Sequence, residues 1–143
     1  MILTDINLLV YAYNTKDERF PIAREWFEEL MNGSDTACFC WETINGFIRI
    51  STNKHAMPNP FSLRESFDIV REWLDSENAL FLKPSLNHFD QLRKTSSSAN
   101  AIGKLYSDAI LAAYAISSNA TIASTDRNFR LFDGLKLINP LEK

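Results

Sequence analysis

Residues 104–126, KLYSDAILAAYAISSNATIASTD, carry the pattern that decides the fold. Residues 104–119 are apolar almost all round, which is typical of a helix that is buried on every side. Asn119 is a natural stop for that helix, and residues 121–124 then form a short apolar run that leads directly to Asp126. A buried helix followed by a short buried strand indicates a parallel sheet that is covered by helices on both faces.

The same alternation of short apolar runs and helical periodicity continues through the rest of the chain. Strands are predicted at residues 2–5, 36–40, 79–82, 121–124 and 135–138, and helices at residues 7–14, 21–31, 41–52, 62–76, 85–95 and 104–119. Ser62 and Glu65 have the spacing of a capping box, and residues 96–100, SSSAN, are predicted to be a loop. We therefore predict a single α/β domain over residues 1–143, a three-layer α/β/α sandwich around a central, mainly parallel sheet of four to five short strands.

Composition limits the class of protein and its compartment. Apolar residues make up 45% of the chain and charged residues 23%, which is ordinary for a soluble globular protein. No apolar stretch approaches transmembrane length, and the first residues lack the features of a signal peptide, so we expect a cytoplasmic protein with no membrane partner. Cys38 and Cys40 have the spacing of two buried, reduced thiols on one face of a strand, rather than of a disulfide or a zinc site.

Acidic residues follow several of the predicted strands. Asp5 ends the first strand, Glu42 lies just beyond the second, and Asp126 comes directly after the fourth, while Asp108 is an acid inside the buried helix. Because the carboxyl ends of parallel strands share one edge of a sheet, these four side chains are expected around one crevice. Like charges in one pocket raise one another's pKa unless a cation compensates them.

Carboxylates brought together in this way favour a hard divalent cation such as Mg²⁺ or Mn²⁺. A chemistry that needs this arrangement is metal-assisted hydrolysis of a phosphodiester, in which the ion activates water and stabilises the attacking and leaving oxygens. Bound cations would also weaken the objection that a net charge of −3 raises against nucleic-acid binding. Three of the acids have a structural alternative: Asp5 and Asp126 as helix caps, and Glu42 as a first-turn acid that favours the helix dipole. Asp108 is the hardest to explain in this way, because an acid inside an apolar helix has little structural use.

At these residues the chain resembles the PIN-domain ribonucleases, and among them the VapC-type toxins of toxin–antitoxin pairs. The segments that carry the resemblance cover nearly the whole chain: LTDINLLVYAYN, WETINGFIRISTN, SDAILAAYAI and ASTDRNFRLFDGLKLINPL. The acidic quartet of that family falls on Asp5, Glu42, Asp108 and Asp126. The resemblance implies a catalytic site that binds one or two Mg²⁺ or Mn²⁺ ions through these four carboxylates.

The resemblance also implies partners and supporting residues. Asn7 and Thr125 match polar positions that support the site by orienting a carboxylate or a water. Relatives of this type cut single-stranded regions of structured RNA such as tRNA or rRNA. A small antitoxin holds them inactive by placing its C-terminal segment in the active-site groove, and they commonly form homodimers.

Further residues are candidates by position alone. Arg49 lies two helical turns after Glu42 on the same face, and Asn45 lies three residues after it, so both are candidate contacts for substrate or antitoxin. His55 and His88 have no partner at ligand spacing and are interpreted as loop or surface residues. Scattered basic residues could line the groove: Lys54, Lys83, Arg127 and Arg130.

Other functions remain as alternatives. A phospho-accepting receiver module would carry paired acids after the first strand and an acid after the third, where this chain has a single Asp5 and the run ALFLKP. A PIN fold kept only for binding or regulation would not need an intact quartet. A structure-specific DNA nuclease is chemically equivalent, but such relatives carry additional helical elements.

Overall fold

A computed structural model describes residues 1–142 of the chain. It contains five strands, β1 (Ile2–Thr4), β2 (Ala37–Phe39), β3 (Ala79–Phe81), β4 (Thr121–Ala123) and β5 (Lys136–Ile138). Its six α-helices are α1 (Ile6–Tyr11), α2 (Phe20–Asn32), α3 (Trp41–Ser51), α4 (Leu63–Asp75), α5 (Leu86–Ser98) and α6 (Leu105–Ser118). A 3₁₀ helix covers Arg127–Leu131.

The five strands form one sheet in the order β3-β2-β1-β4-β5, and every neighbouring pair is parallel. The predicted three-layer α/β/α fold is confirmed, with five strands and no antiparallel pair in the described sheet. β1 lies at the centre, between β2 and β4. The chain leaves β1 towards β2 on one side and returns to β4 on the other, and a crevice opens at such a reversal of strand order.

Two hydrophobic clusters lie on opposite faces of the sheet. The first joins α1 to α4 through buried residues such as Leu9, Phe47 and Trp73, and the second joins the sheet to α6 and the 3₁₀ helix. Phe39 belongs to the first cluster, whereas Cys38 and Cys40 belong to the second. The two thiols therefore share one face, as the spacing predicts, and both are free and buried.

Helix α6 is the most apolar element and is buried along most of its length. It ends at Asn119, which adopts the left-handed conformation with φ of 53°, as the stop signal predicts. Among residues 1–142, no helix is long and apolar enough to cross a membrane.

Three expectations from the sequence need correction. The first strand ends at Thr4, because Asp5 already caps α1. Residues 96–98 continue α5 instead of forming a loop, since the hydroxyls of Ser96 and Ser98 bond to carbonyls of the preceding helical turn. The helical spacing of Phe67 in residues 62–76 predicts a core position, but its side chain lies on the outer face of α4 and is 55% exposed.

Candidate active site

Three of the four predicted acids lie at the carboxyl edge of adjacent strands. Asp5 follows β1, Glu42 lies in the first turn of the helix after β2, and Asp126 lies shortly after β4. Asp108 comes from the first turn of α6 and faces the same crevice. The fold thus brings together acids that are separated by up to 121 positions in the chain.

These acids line two cavities that share a wall. One cavity of about 540 Å³ is lined by Asp5, Asp108 and Asp126, and one of about 520 Å³ is lined by Asp5, Glu42 and Asp108. Because Asp5 and Asp108 line both cavities, we treat the pair as one depression, called here the acidic groove.

Asp5 is held by two hydrogen bonds and is only 7% exposed. Its Oδ1 accepts from the backbone N–H of Ile6 at 2.7 Å, and its Oδ2 accepts from the Ser124 hydroxyl at 2.7 Å. Burial raises the pKa of this carboxyl, the two hydrogen bonds oppose that rise, and the nearby charge of Asp126 adds to it. Asp5 therefore caps α1 and also lines the acidic groove.

Asp126 combines the same two roles. Its Oδ1 accepts from the backbone N–H of Asn128 at 2.9 Å and so caps the 3₁₀ helix. Its own N–H donates to the Ser124 hydroxyl oxygen at 2.9 Å. An ionised carboxylate offers about four lone-pair positions, so a capping bond leaves acceptor capacity towards the groove. Capping and metal binding are therefore compatible at these positions.

Asp108 is the acid with the most perturbed titration. Its pKa is raised to about 6, mainly by burial and then by the negative charges of Asp126 and Asp5, while the charge of Lys104 opposes the rise. These causes show that Asp5, Asp108 and Asp126 lie close enough to repel one another. A cation bound among them would remove that repulsion.

Glu42 is the acid with an unsatisfied oxygen. The Tyr114 hydroxyl donates to Glu42 Oε1 at 3.5 Å. Among the residues that the structure describes, Glu42 Oε2 is a buried side-chain atom without a hydrogen-bond partner. Leaving a buried polar atom unpaired is costly, and native proteins seldom do so without a ligand, ion or water at that point.

The donor set fits a hard divalent ion in chemical type. All four predicted ligands are carboxylates around one groove, and one of them presents a buried oxygen that has no hydrogen-bond partner among residues 1–142. Within residues 1–142, however, no three acidic, histidine or cysteine side chains lie close enough together to form a ready-made metal cluster. Mg²⁺ does not need three protein ligands in close contact, because it usually takes one or two carboxylates and completes its shell with water and substrate oxygens.

The supporting residues fall partly where the sequence places them. Asn7 lines the larger cavity and Asn45 the smaller one, and Arg49 lines both. The hydroxyl that binds Asp5 belongs to Ser124 and not to its neighbour Thr125, so the supporting roles of Asn7 and Thr125 stay predictions. A polar residue at the buried end of β4, one position before Thr125, is the sequence signal that could have identified Ser124.

The four scattered basic residues that the sequence offered as groove residues lie outside both cavities. Neither cavity is lined by Lys54, Lys83, Arg127 or Arg130. Arg127 instead lies 3.8 Å from Glu142. Lys104, just before α6, is the lysine that lines the groove, and it is not among the residues predicted from the sequence. His55 is exposed, as expected, whereas His88 is half-buried on α5 with its ring 4.3 Å from that of Tyr114.

Comparisons with known proteins agree with this geometry. A family profile described as the PIN domain matches residues 2–135. Ribonuclease VapC37 of Mycobacterium tuberculosis is 30% identical over 140 residues, which are 98% of this chain and 97% of the relative. Ribonuclease VapC33 of the same species is 32% identical over 143 residues and is covered completely, as is this chain.

Solved structures share the fold at lower identity. A chain of VapBC2 from Rickettsia felis, crystallised with a DNA fragment from its promoter, matches 97% of this chain and 98% of its own length, with a TM-score of 0.69 and 19% identity. A chain of VapBC-1 from nontypeable Haemophilus influenzae matches 99% of this chain and 100% of its own length, with a TM-score of 0.67 and 18% identity.

Proposed function

The chain belongs to the PIN-domain family, and we propose that it is a metal-dependent endoribonuclease that acts as the toxin of a toxin–antitoxin pair. The family profile and the two ribonuclease relatives described above support the nuclease activity. The observation that carries the proposal is the acidic groove itself. Four carboxylates from separate parts of the chain line this groove; among the described residues one has a buried oxygen without a hydrogen-bond partner, and another has a pKa of about 6.

Asp5, Glu42, Asp108 and Asp126 would hold one or two Mg²⁺ or Mn²⁺ ions. When bound, such an ion supplies Lewis-acid activation of water and stabilises the charge that develops on the phosphodiester oxygens. The chain holds two of the carboxylates before any ion arrives, because the Ser124 hydroxyl donates to the Asp5 carboxylate and the backbone N–H of Asn128 donates to the Asp126 carboxylate. Fixed ligands lower the reorganisation that the reaction requires.

Arg49 and Lys104 supply the positive charge that a phosphate backbone needs. Both line the larger cavity, together with the acids. Within the described part of the chain, neither side chain forms an ion pair with an acid within 4 Å. We assign them to the phosphates on either side of the cleaved bond, where a cation orients the strand without reading its sequence.

The inhibitory partner would use the same groove. VapBC complexes from two bacteria are among the structural neighbours, and the acidic groove would accept a positively charged segment of a small antitoxin. We also propose a homodimer in solution. A short open reading frame directly upstream, whose product copurifies with this chain and blocks cleavage, would support the partnership; free access of RNA in that complex would oppose it.

The nuclease proposal is tested with purified chain on single-stranded RNA, folded tRNA and single-stranded DNA. We expect RNA cleavage with Mg²⁺ or Mn²⁺, and none in EDTA. Asp5→Asn and Asp108→Asn are expected to abolish it, because each removes a charged ligand. Asp68→Asn is the matched control. Asp68 is an exposed acid on α4 that is not one of the proposed ligands, so this variant should cleave RNA like the parent.

Two results would overturn the proposal. Asparagine variants that cleave RNA as fast as the parent would remove the carboxylates from the mechanism. Cleavage of DNA in preference to RNA would favour the structure-specific DNA nuclease instead.

A further inference from the structure

Glu42 and Tyr114 meet across two helices, α3 and α6. Glu42 lies in the first turn of α3, and Tyr114 lies in the second half of α6, on the helix that also carries Asp108. The Tyr114 hydroxyl donates to Glu42 Oε1 at 3.5 Å. A single side chain thus connects the helix of one predicted ligand with the side chain of another.

The two oxygens of Glu42 have different surroundings. Oε1 has the tyrosine hydroxyl as its donor, whereas Oε2 is buried and has no partner within residues 1–142. A glutamate has three rotatable side-chain bonds, so a donor on one oxygen restricts where the other oxygen points. The oxygen without a donor is the one that remains available to a cation.

Tyr114 is itself held firmly. It is only 5% exposed and belongs to the hydrophobic cluster on the α6 face of the sheet. The ring of His88 from α5 covers it, with centroids 4.3 Å apart and planes inclined by 34°. Because the Tyr114 ring is buried and covered by His88, its hydroxyl is a hydrogen-bond donor with a fixed position. A group that orients a metal ligand requires such a fixed position.

We propose that Tyr114 is a positioning residue for the metal site: its hydroxyl holds Glu42 Oε1, so that Oε2 serves as the ligand oxygen. This inference rests on the proposed function, because it assigns a partner to one of the proposed ligands. The hydroxyl touches neither substrate nor ion and acts only through Glu42.

The test measures Mn²⁺ binding by calorimetry together with RNA cleavage. Tyr114→Phe removes the hydroxyl and keeps the ring. We expect its Mn²⁺ dissociation constant to rise roughly 10- to 100-fold, the usual effect of losing a partner behind a metal ligand. At saturating Mn²⁺ the KM for RNA should stay unchanged while kcat falls. Tyr106→Phe on the same helix removes an exposed hydroxyl and should bind Mn²⁺ like the parent.

A double-mutant cycle separates positioning from a structural role. In the Glu42→Gln background, Tyr114→Phe should cause no further loss of Mn²⁺ affinity, because the ligand that it orients is already impaired. Equal losses in both backgrounds would overturn the inference, as would a Tyr114→Phe variant that binds Mn²⁺ like the parent. If the parent binds no Mn²⁺ and cleaves no RNA, the proposed function fails as well; if the parent does both, only the role of Tyr114 is at stake.

Discussion

The side chain of Asp108 lies half-buried in the acidic groove, where desolvation and the charges of Asp126 and Asp5 raise its pKa from 3.8 to about 6. A carboxyl whose pKa is raised in the folded protein binds its proton more tightly there than in the unfolded chain. Its contribution therefore favours folding below pH 3.8 and is lost as pH rises towards 6. The raised pKa of Asp5 acts in the same direction.

This linkage predicts a measurable pH dependence. In EDTA, the parent should lose thermal stability between pH 4 and pH 7, and Asp108→Asn should lose less, because it removes one of the repelling charges. At pH 7.5, Mg²⁺ should raise the melting temperature of the parent more than that of Asp108→Asn. The Asp68→Asn control should follow the parent in both scans, and identical curves for all three proteins would contradict the charge-repulsion account.

The two cysteines are predicted to be inert. Burial raises the pKa of Cys38 and raises that of Cys40 to about 12, and only the thiolate attacks a disulfide reagent. The folded protein should therefore release almost no chromophore from an aromatic disulfide reagent at pH 8, and the denatured protein should release two equivalents. Rapid labelling of the folded protein would show that β2 opens readily or that a thiol has a role at the site.

The acidic residues at the strand ends can be recognised in the sequence, but the hydrogen bonds that hold their side chains cannot. The sequence identifies the four acids, because each is a charge at the end of, or inside, an apolar element. It does not distinguish Ser124 from Thr125, which are adjacent hydroxyls with the same local chemistry. Tyr114 looks like one more apolar residue of a buried helix, and only the folded chain brings its hydroxyl to Glu42 of α3.

At the scale of elements, the sequence predicts a helix end reliably where nearby side chains bond to the free backbone groups of that end. The capping box of α4 is present, with Ser62 Oγ accepting from Glu65 N–H at 3.0 Å and Glu65 Oε1 accepting from Ser62 N–H at 2.8 Å. The predicted end of α5 at residue 95 is wrong, because the serines of residues 96–98 are typical of a loop. In α5 the chain continues as a helix to Ser98, and Asn100 then adopts a positive φ of 47°.

The contact between α1 and α3 gives a prediction at this scale. A Cβ added at Gly46 on α3 would clash with the Ile6 side chain, lying 2.8 Å from its Cγ1 and closer still to its Cδ1. Ile6 follows Asp5 and donates the backbone bond to its Oδ1. Gly46→Ala should therefore lower the free energy of unfolding by about 1–3 kcal/mol in urea titrations, as overpacking does. An unchanged unfolding midpoint would show that the helices can separate at little cost.

At the scale of the whole molecule, the order of strands decides the site. β1 lies between β2 and β4, so the acids that follow these three strands meet at one edge, and α6 adds Asp108 from above that edge. The parallel sheet, its covering helices and the acidic edge could all be predicted from hydrophobic periodicity. Of the two cations of the groove, Arg49 is predicted from its spacing after Glu42, whereas Lys104 is not, because the sequence does not show that Asn128 from a distant part of the chain lines the same cavity.

The central claim is that the four carboxylates of the acidic groove bind a divalent ion. Crystals grown without metal and then soaked in Mn²⁺ test it directly through anomalous scattering at the manganese edge. We expect one or two strong peaks in the acidic groove, within coordination distance of carboxylate oxygens of Asp5, Glu42, Asp108 or Asp126. A groove without a peak, with manganese found only at surface acids elsewhere, would contradict it.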